Sequence, residues 1–242
     1  MFRSLQALPA TLAIAALTLI TVSCGNTNVA QIRIINAISD SQPVDIHFNN
    51  VTIAASLPFG GVYPPPTAST HYVTVTSGVQ NVDGFPPGDT TNPISPVGIL
   101  SLNGSTQYTI IAVGLELSEA PPVAIVDNNT VPTGNNLEYR VINASLNSPT
   151  KGVDVYFVPP GASITNFTPQ ISNLGYEQSE TAELAAVPTG FSVIVTTSGG
   201  KSALLTVSST AQAGSITTIV LLDNVGGNNG ISQTPLVLND LN

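Results

Sequence analysis

The sequence predicts an all-β protein: two tandem β-sandwich modules of immunoglobulin-like or transthyretin-like shape, following a cleaved signal peptide. Three observations predict it. The 242-residue chain is 42% hydrophobic and only 8% charged, too little Glu, Lys and Arg for the solvent faces of surface helices. Short runs rich in Val, Ile, Thr and Tyr recur between clusters drawn from 20 Gly, 19 Pro and many Asn, the alternation of strands and turns. Above all, the chain repeats itself in order.

The first copy opens Arg33-Ile34-Ile35-Asn36-Ala37 and the second Arg140-Val141-Ile142-Asn143-Ala144. Val44-Asp45-Ile46-His47-Phe48 then answers to Val153-Asp154-Val155-Tyr156-Phe157. Thr70–Gly78 (THYVTVTSG) parallels Gly190–Gly199 (GFSVIVTTSG). Asn103-Gly104-Ser105 followed by Tyr108–Val113 parallels Ala213-Gly214-Ser215 followed by Ile216–Leu221, and Pro122–Asn129 (PVAIVDNN) parallels Pro235–Asn242 (PLVLNDLN). The modules therefore span residues 31–129 and 138–242, joined by a Pro/Gly/Asn-rich linker at 130–137. Each is large enough for its own core without disulfides.

Within a module, Val44, Ile46 and Phe48 alternate with Asp45 and His47, the period of a half-buried strand. Tyr72, Thr74 and Thr76 alternate in the same way with Val73 and Val75. About seven strands per module follow from this spacing. Glu177–Leu184 could pass for a helix. Its counterpart Tyr63–Thr70 contains Pro64-Pro65-Pro66 and cannot, so both are expected as edge strand or loop.

The N-terminus reads as a targeting segment. Arg3 supplies positive charge and Leu12–Ile20 an apolar core too short to span a bilayer comfortably. Ile20-Thr21-Val22-Ser23-Cys24-Gly25 resembles the lipobox of bacterial lipoproteins, with Thr21 where Leu is usual. The resemblance implies that residues 1–23 are removed and that Cys24, the only Cys of the chain, carries the lipid. A free thiol would be a liability in an oxidising compartment. Residues 24–30 would then tether the first module close to the membrane. The expected location is the bacterial cell envelope, at the outer membrane in a diderm, because Gly25 is not the Asp that retains enterobacterial lipoproteins at the inner one.

With Arg3 gone, four basic residues face 14 acids, a net charge of −10. Such a surface repels a phosphate backbone, which excludes nucleic acid as a partner. The expected partners are the membrane, through the anchor, and an envelope protein or polysaccharide.

Arg-(Val/Ile)-Ile-Asn-Ala followed by Val-Asp-(Ile/Val)-(His/Tyr)-Phe resembles the opening of domain of unknown function 4397, whose modules often stand in tandem in bacterial and archaeal surface proteins. Asn36 and Asn143 stand where that family usually has His, and Ile38-Ser39-Asp40 and Ser145-Leu146-Asn147 blur its Ser-Pro step. The resemblance implies a β-sandwich in the envelope and brings no activity.

The search for chemistry yields no catalytic set. Nucleophilic catalysis needs a base beside the nucleophile, and the chain holds two His, His47 and His71, without a Gly-x-Ser-x-Gly elbow. His47 is expected on the solvent side of its strand and His71 in packing. Zinc would need more Cys, His or acidic ligands than any stretch supplies. Asp127-Asn128-Asn129 and Asp223-Asn224 lack EF-hand spacing and read as Asx turns rather than calcium loops. No metal and no cofactor are expected. Arg33 with Asp45, and Arg140 with Asp154, are expected as structural ion pairs between the first two strands of each module. The overall expectation is a non-enzymatic surface module. One alternative is a glycosidase-like hydrolase using acids in an inter-module cleft. Another is an adhesin or carbohydrate-binding protein with an exposed platform of Tyr63, Tyr108 or Tyr176.

Overall fold

A computed structural model describes residues 28–116, 120–210, 212–226 and 230–240. Residues 1–23, expected as a signal peptide, and Cys24, the expected lipid acceptor, lie outside the described residues. The described chain is built of strands: β1 (Val29–Asn36), β2 (Val44–Phe48), β3 (Val51–Leu57), β4 (Val62–Tyr63), β5 (Val73–Thr76), β6 (Gly78–Phe85), β7 (Ser95–Leu102), β8 (Gln107–Ala112) and β9 (Val123–Val126), then β10 (Asn136–Asn143), β11 (Val153–Val158), β12 (Ile171–Leu174), β13 (Ser179–Ala185), β14 (Phe191–Thr197), β15 (Ala203–Ser209), β16 (Ile216–Leu221) and β17 (Leu236–Asn239). A single 3₁₀ turn, Ile164–Asn166, interrupts them.

Four sheets result. The first half gives β4-β1-β8-β9, with β5 also on β1, and β3-β2-β6-β7; the second gives β13-β10-β16-β17 and β12-β11-β14-β15. The two halves share one strand order. In each, the first strand runs parallel to the seventh, β1 with β8 and β10 with β16, and the remaining pairings are antiparallel. This departs from the immunoglobulin arrangement of ABED on CFG and leaves the transthyretin-like form. Among the described residues there are eight strand positions per sandwich, not seven. The fourth is split into β4 and β5 in the first half, because Pro64-Pro65-Pro66 cannot donate to a ladder. Its equivalent β13, at 179–185, is an unbroken edge strand beside β10.

Each sandwich encloses its own core. Ile32, Ile34, Val44, Ile46, Phe48 and Ile110 pack in the first, Tyr139, Val141, Val155, Phe157, Val193 and Ile219 in the second. Two boundaries move. Val29 and Ala30, expected in the tether, are already in β1, paired with Thr76 and Val75. Leu137, expected in the linker, is fully buried in the second core.

The opening strands are buried on both faces. Along β1, Ile32 and Ile34 face their own core while Ile35 joins a third apolar cluster with Ile111, Ile142, Val220 and Leu238. That cluster draws on both halves, so the sheet led by β1 and the sheet led by β10 lie against each other. A strand covered on both sides carries little polar alternation, which is the physical meaning of the runs Ile34-Ile35 and Val141-Ile142.

Candidate functional site

Between the two sandwiches, on the face that carries Ile35 and Ile142, the repeat places a second feature. Arg33 on β1 is in register with Thr109 on β8, and Arg140 on β10 with Thr218 on β16. One residue past β9 and β17 come Asp127 and Asp240. These six residues form one buried cluster. The side chains of Asp127 and Asp240 have no exposed surface, and those of Arg33 and Arg140 are 3% and 2% exposed.

The contacts are reciprocal across the interface. Arg33 Nη1 donates to Asp240 Oδ1, and Arg140 Nη1 donates to Asp127 Oδ1 at 3.1 Å and to Asp240 Oδ2 at 2.9 Å. Arg33 Nη2 lies 3.5 Å from Asp127 Oδ2. Thr109 Oγ1 accepts from Arg33 Nε and Nη2 and donates to Asp127 Oδ2 at 2.6 Å. Thr218 Oγ1 likewise donates to Asp240 Oδ2. Arg140 Nη2 donates to the Asn128 carbonyl at 2.8 Å. Residue i meets j of the other half while its equivalent makes the same exchange, the contact rule of a two-fold interface. Two guanidinium and two carboxylate groups leave the cluster neutral, which buried charge requires. Burial alone disfavours the charged Arg33, but Asp240 and Asp127 outweigh it and hold its pKa above the ordinary value. Glu138, 3.7 Å from Arg140, sits at the rim, its carboxyl raised mainly by burial, with Arg140 opposing.

The expected pairs do not form. Arg33 and Arg140 pair across the interface, whereas Asp45 and Asp154 accept backbone N–H groups. Asp45 takes those of Ser56 at 2.6 Å and Gly88 at 2.9 Å, Asp154 those of Asn173 at 2.9 Å and Gly199 at 2.8 Å. The reason is topological. β1 and β2 belong to opposite sheets of one sandwich, so outward residues on them look away from each other across the core. The aspartates anchor irregular backbone instead: Ser56 and Asn173 both have positive φ, beside shifts in the β2–β3 and β11–β12 registers.

Other expectations change as well. His47 is buried, 4% exposed, with its ring 4.7 Å from that of Phe85 and its Nε2 3.0 Å from Thr52 Oγ1. Its equivalent Tyr156 is covered by Lys201, whose Nζ lies 4.6 Å from the ring centroid. Both faces of β2 and β11 are therefore buried, because segments beyond the strands fold over the outer face. His71 is half-buried. Asp127 is taken up by Arg140, Thr109 and Tyr72, and Asn128 closes an Asx turn onto Thr130. Asp223 accepts from Ser145 Oγ and the Asn147 N–H. Among the described residues no group of three His, Cys, Asp or Glu could hold a metal ion. The three tyrosines form no common platform: Tyr108 is in the first core, Tyr63 packs against it, and Tyr176 packs on the cluster between the halves. Asn36 and Asn143 are fully buried, each donating to a carbonyl (Leu57, Leu174) and accepting an N–H two residues on.

Fold and cluster together define a class: an all-β protein of two like sandwiches, each contributing Arg, Thr and Asp to one buried ionic joint. The chain belongs to the family of the domain of unknown function DUF4397, whose model matches residues 30–156, from the first strand of the first sandwich into the second strand of the second. Among solved structures it is similar to one described as the Bacillus anthracis TIE protein, at 8% identity and a TM-score of 0.26. The match covers 81% of this chain and 34% of that one, so this chain spans about a third of its length. No curated protein matches.

Proposed function

We propose that this protein is a non-enzymatic lipoprotein of the bacterial cell envelope, tethered through Cys24, whose two sandwiches act as one binding or structural surface unit. The observation that carries the reading is the fate of the acids between the halves. A hydrolase of the rival kind needs two carboxylates open to substrate and water. Asp127 and Asp240 have no exposed side-chain surface and are occupied by Arg33, Arg140, Thr109 and Thr218. The same joint is packed by an apolar cluster drawn from both sheets.

The rest of the reading follows from the N-terminus. A chain acylated on Cys24 and trimmed of residues 1–23 holds its first strand, beginning at Val29, a few residues from the bilayer, with the second sandwich docked on the first. Several acyl chains on one residue anchor stably. Intact-mass measurement of the membrane-extracted protein should give a triacylated or diacylated chain starting at Cys24, and Cys24→Ala should move the protein out of the membrane fraction. A soluble wild-type product with a free thiol, or cleavage elsewhere, contradicts the reading.

A further inference from the structure

Most residues that recur in both halves hold the fold or the joint together. A groove on the first half is built from residues that differ in the second. Beyond the ionic cluster, on the same face of the sheet, Thr74, Gln31 and Gln107 stand side by side on β5, β1 and β8. They floor a groove of about 500 Å³, with Tyr72, His71 and Asn129 on its walls and Asp240 of the second half, its side chain covered by the ionic cluster, also lining it, within the range of small-ligand sites.

The polar groups there are wired into one chain. Gln107 Nε2 donates to Gln31 Oε1 at 2.8 Å. Asn129 Nδ2 donates to Gln107 Oε1 and to Tyr72 Oη, both at 2.9 Å, and Tyr72 Oη donates to the buried Asp127 at 2.8 Å. Arg33 lies 5.4 Å from the centre of the Tyr72 ring. The amides are thus oriented in advance by the ionic cluster. That arrangement lowers the ordering cost of binding and fixes which donors and acceptors face the groove. At the matching register positions the second half has Glu138 and Ile216 in place of Gln31 and Gln107, so the fold does not require the amides.

We infer that the groove floored by Gln31, Thr74 and Gln107 and walled by Tyr72 and Asn129 binds a neutral, hydroxyl-rich ligand, a saccharide. The lining decides the class. Gln31 and Thr74 are exposed, and Gln107 and Asn129 half-buried, so uncharged donors and acceptors are on offer together with an aromatic edge. The charges of the adjacent cluster are spent on one another, and the chain's net charge of −9 opposes an anion. An apolar ligand would find polar walls. The inference rests on the reading of the protein as a surface binding unit and names its ligand class.

The test is amide-resolved NMR titration of the mature, unacylated chain with three hexasaccharides: cellohexaose and chitohexaose, which are neutral, and hexagalacturonate, which is anionic. At about 10 mM ligand, enough to see a millimolar site, at least one neutral hexamer should shift the amides of Gln31, Thr74, Gln107 and Asn129, and hexagalacturonate should not. Gln107→Ala should weaken that binding about tenfold, as should the exposed Gln31→Ala, which cannot unfold the core. Glu183→Ala, on the second half, should leave it unchanged. Absence of groove shifts with both neutral hexamers, stronger binding of the anionic one, or equal binding by the Gln31→Ala variant overturns the inference. A chain that binds no sugar yet is acylated on Cys24 contradicts this inference alone. A free-thiol soluble chain that binds cellohexaose contradicts only the envelope reading.

Discussion

Four aspartates recur in the repeat, and each pair is held by a different kind of donor. Asp45 and Asp154 are satisfied by backbone N–H groups, Asp127 and Asp240 by guanidinium and threonine. Asp83 on β6 has neither. It is 6% exposed, its Oδ1 lacks a hydrogen-bond partner, and burial raises its pKa while the facing His47 offsets part of the rise. A carboxyl whose folded pKa lies above its unfolded one opposes folding when ionised. The penalty is present in full above the folded pKa and disappears as the pH falls through it. Asp83→Asn cannot ionise, so it should melt higher than wild type at neutral pH, and the two curves should converge on acidification. Thermal melts across pH 4 to 8 check this (roughly the carboxyl-to-imidazole range); a gap that widens toward acid would contradict it. At this scale the sequence was partly legible. The recurrence of Arg33 and Arg140 was visible, and so was that of Asp45 and Asp154. Nearness along the chain points to Asp45 and Asp154 as partners, which a sandwich defeats by placing consecutive strands in opposite sheets. The true partners lay in the aligned stretches PVAIVDNN and PLVLNDLN, whose only shared acid is Asp127/Asp240.

At the scale of strands, alternation located most elements but not what covered them. Val44, Ile46 and Phe48 point into the core as their period requires, yet Asp45 and His47 are buried too, because a sequence period reports one covered face and cannot foresee a loop folding over the other. A second failure is one of register. Matching Tyr108 to Ile216 slips the repeat by one residue against the observed ladders, where Thr109 and Thr218 are equivalent. A one-residue slip exchanges inner and outer faces, and it hid the threonines of the cluster. Turns were more legible, and Gly190 shows why. Its φ is +72°, and a Cβ there would meet the Ser209 carbonyl oxygen at 2.2 Å and Thr210 Cα at 3.2 Å, backbone atoms at the end of β15 and just beyond it. Gly134, with φ +68°, has open space around it. Gly134→Ala should therefore cost about 1 kcal/mol for the left-handed backbone alone. Gly190→Ala should cost roughly 3 kcal/mol, since β14 and β15 must also part. Denaturant melts of the two variants distinguish the cases; equal losses would mean that the close approach of the strands is relieved at no cost.

For the whole molecule, the repeat predicts two like units, and the structure adds that they are joined face to face by an apolar cluster and a neutral four-charge knot. Nothing in periodicity announces a docked face. The clue was that Arg33–Ala37 and Arg140–Ala144 carry so little polarity on either side. The joint is also what separates the present account from one in which the modules swing freely on a linker and each Arg pairs within its own half. A double-mutant cycle across the joint, Arg140→Met with Asp127→Asn, followed by urea denaturation, tests this most directly. Each single change breaks a buried pair on one side and should cost on the order of 3 kcal/mol. The two together should cost less than their sum by about 2 kcal/mol or more, while the cycle of Arg140→Met with Asp154→Asn should show coupling near zero. Additive losses for Arg140 and Asp127, with strong coupling between Arg140 and Asp154 instead, would contradict the account.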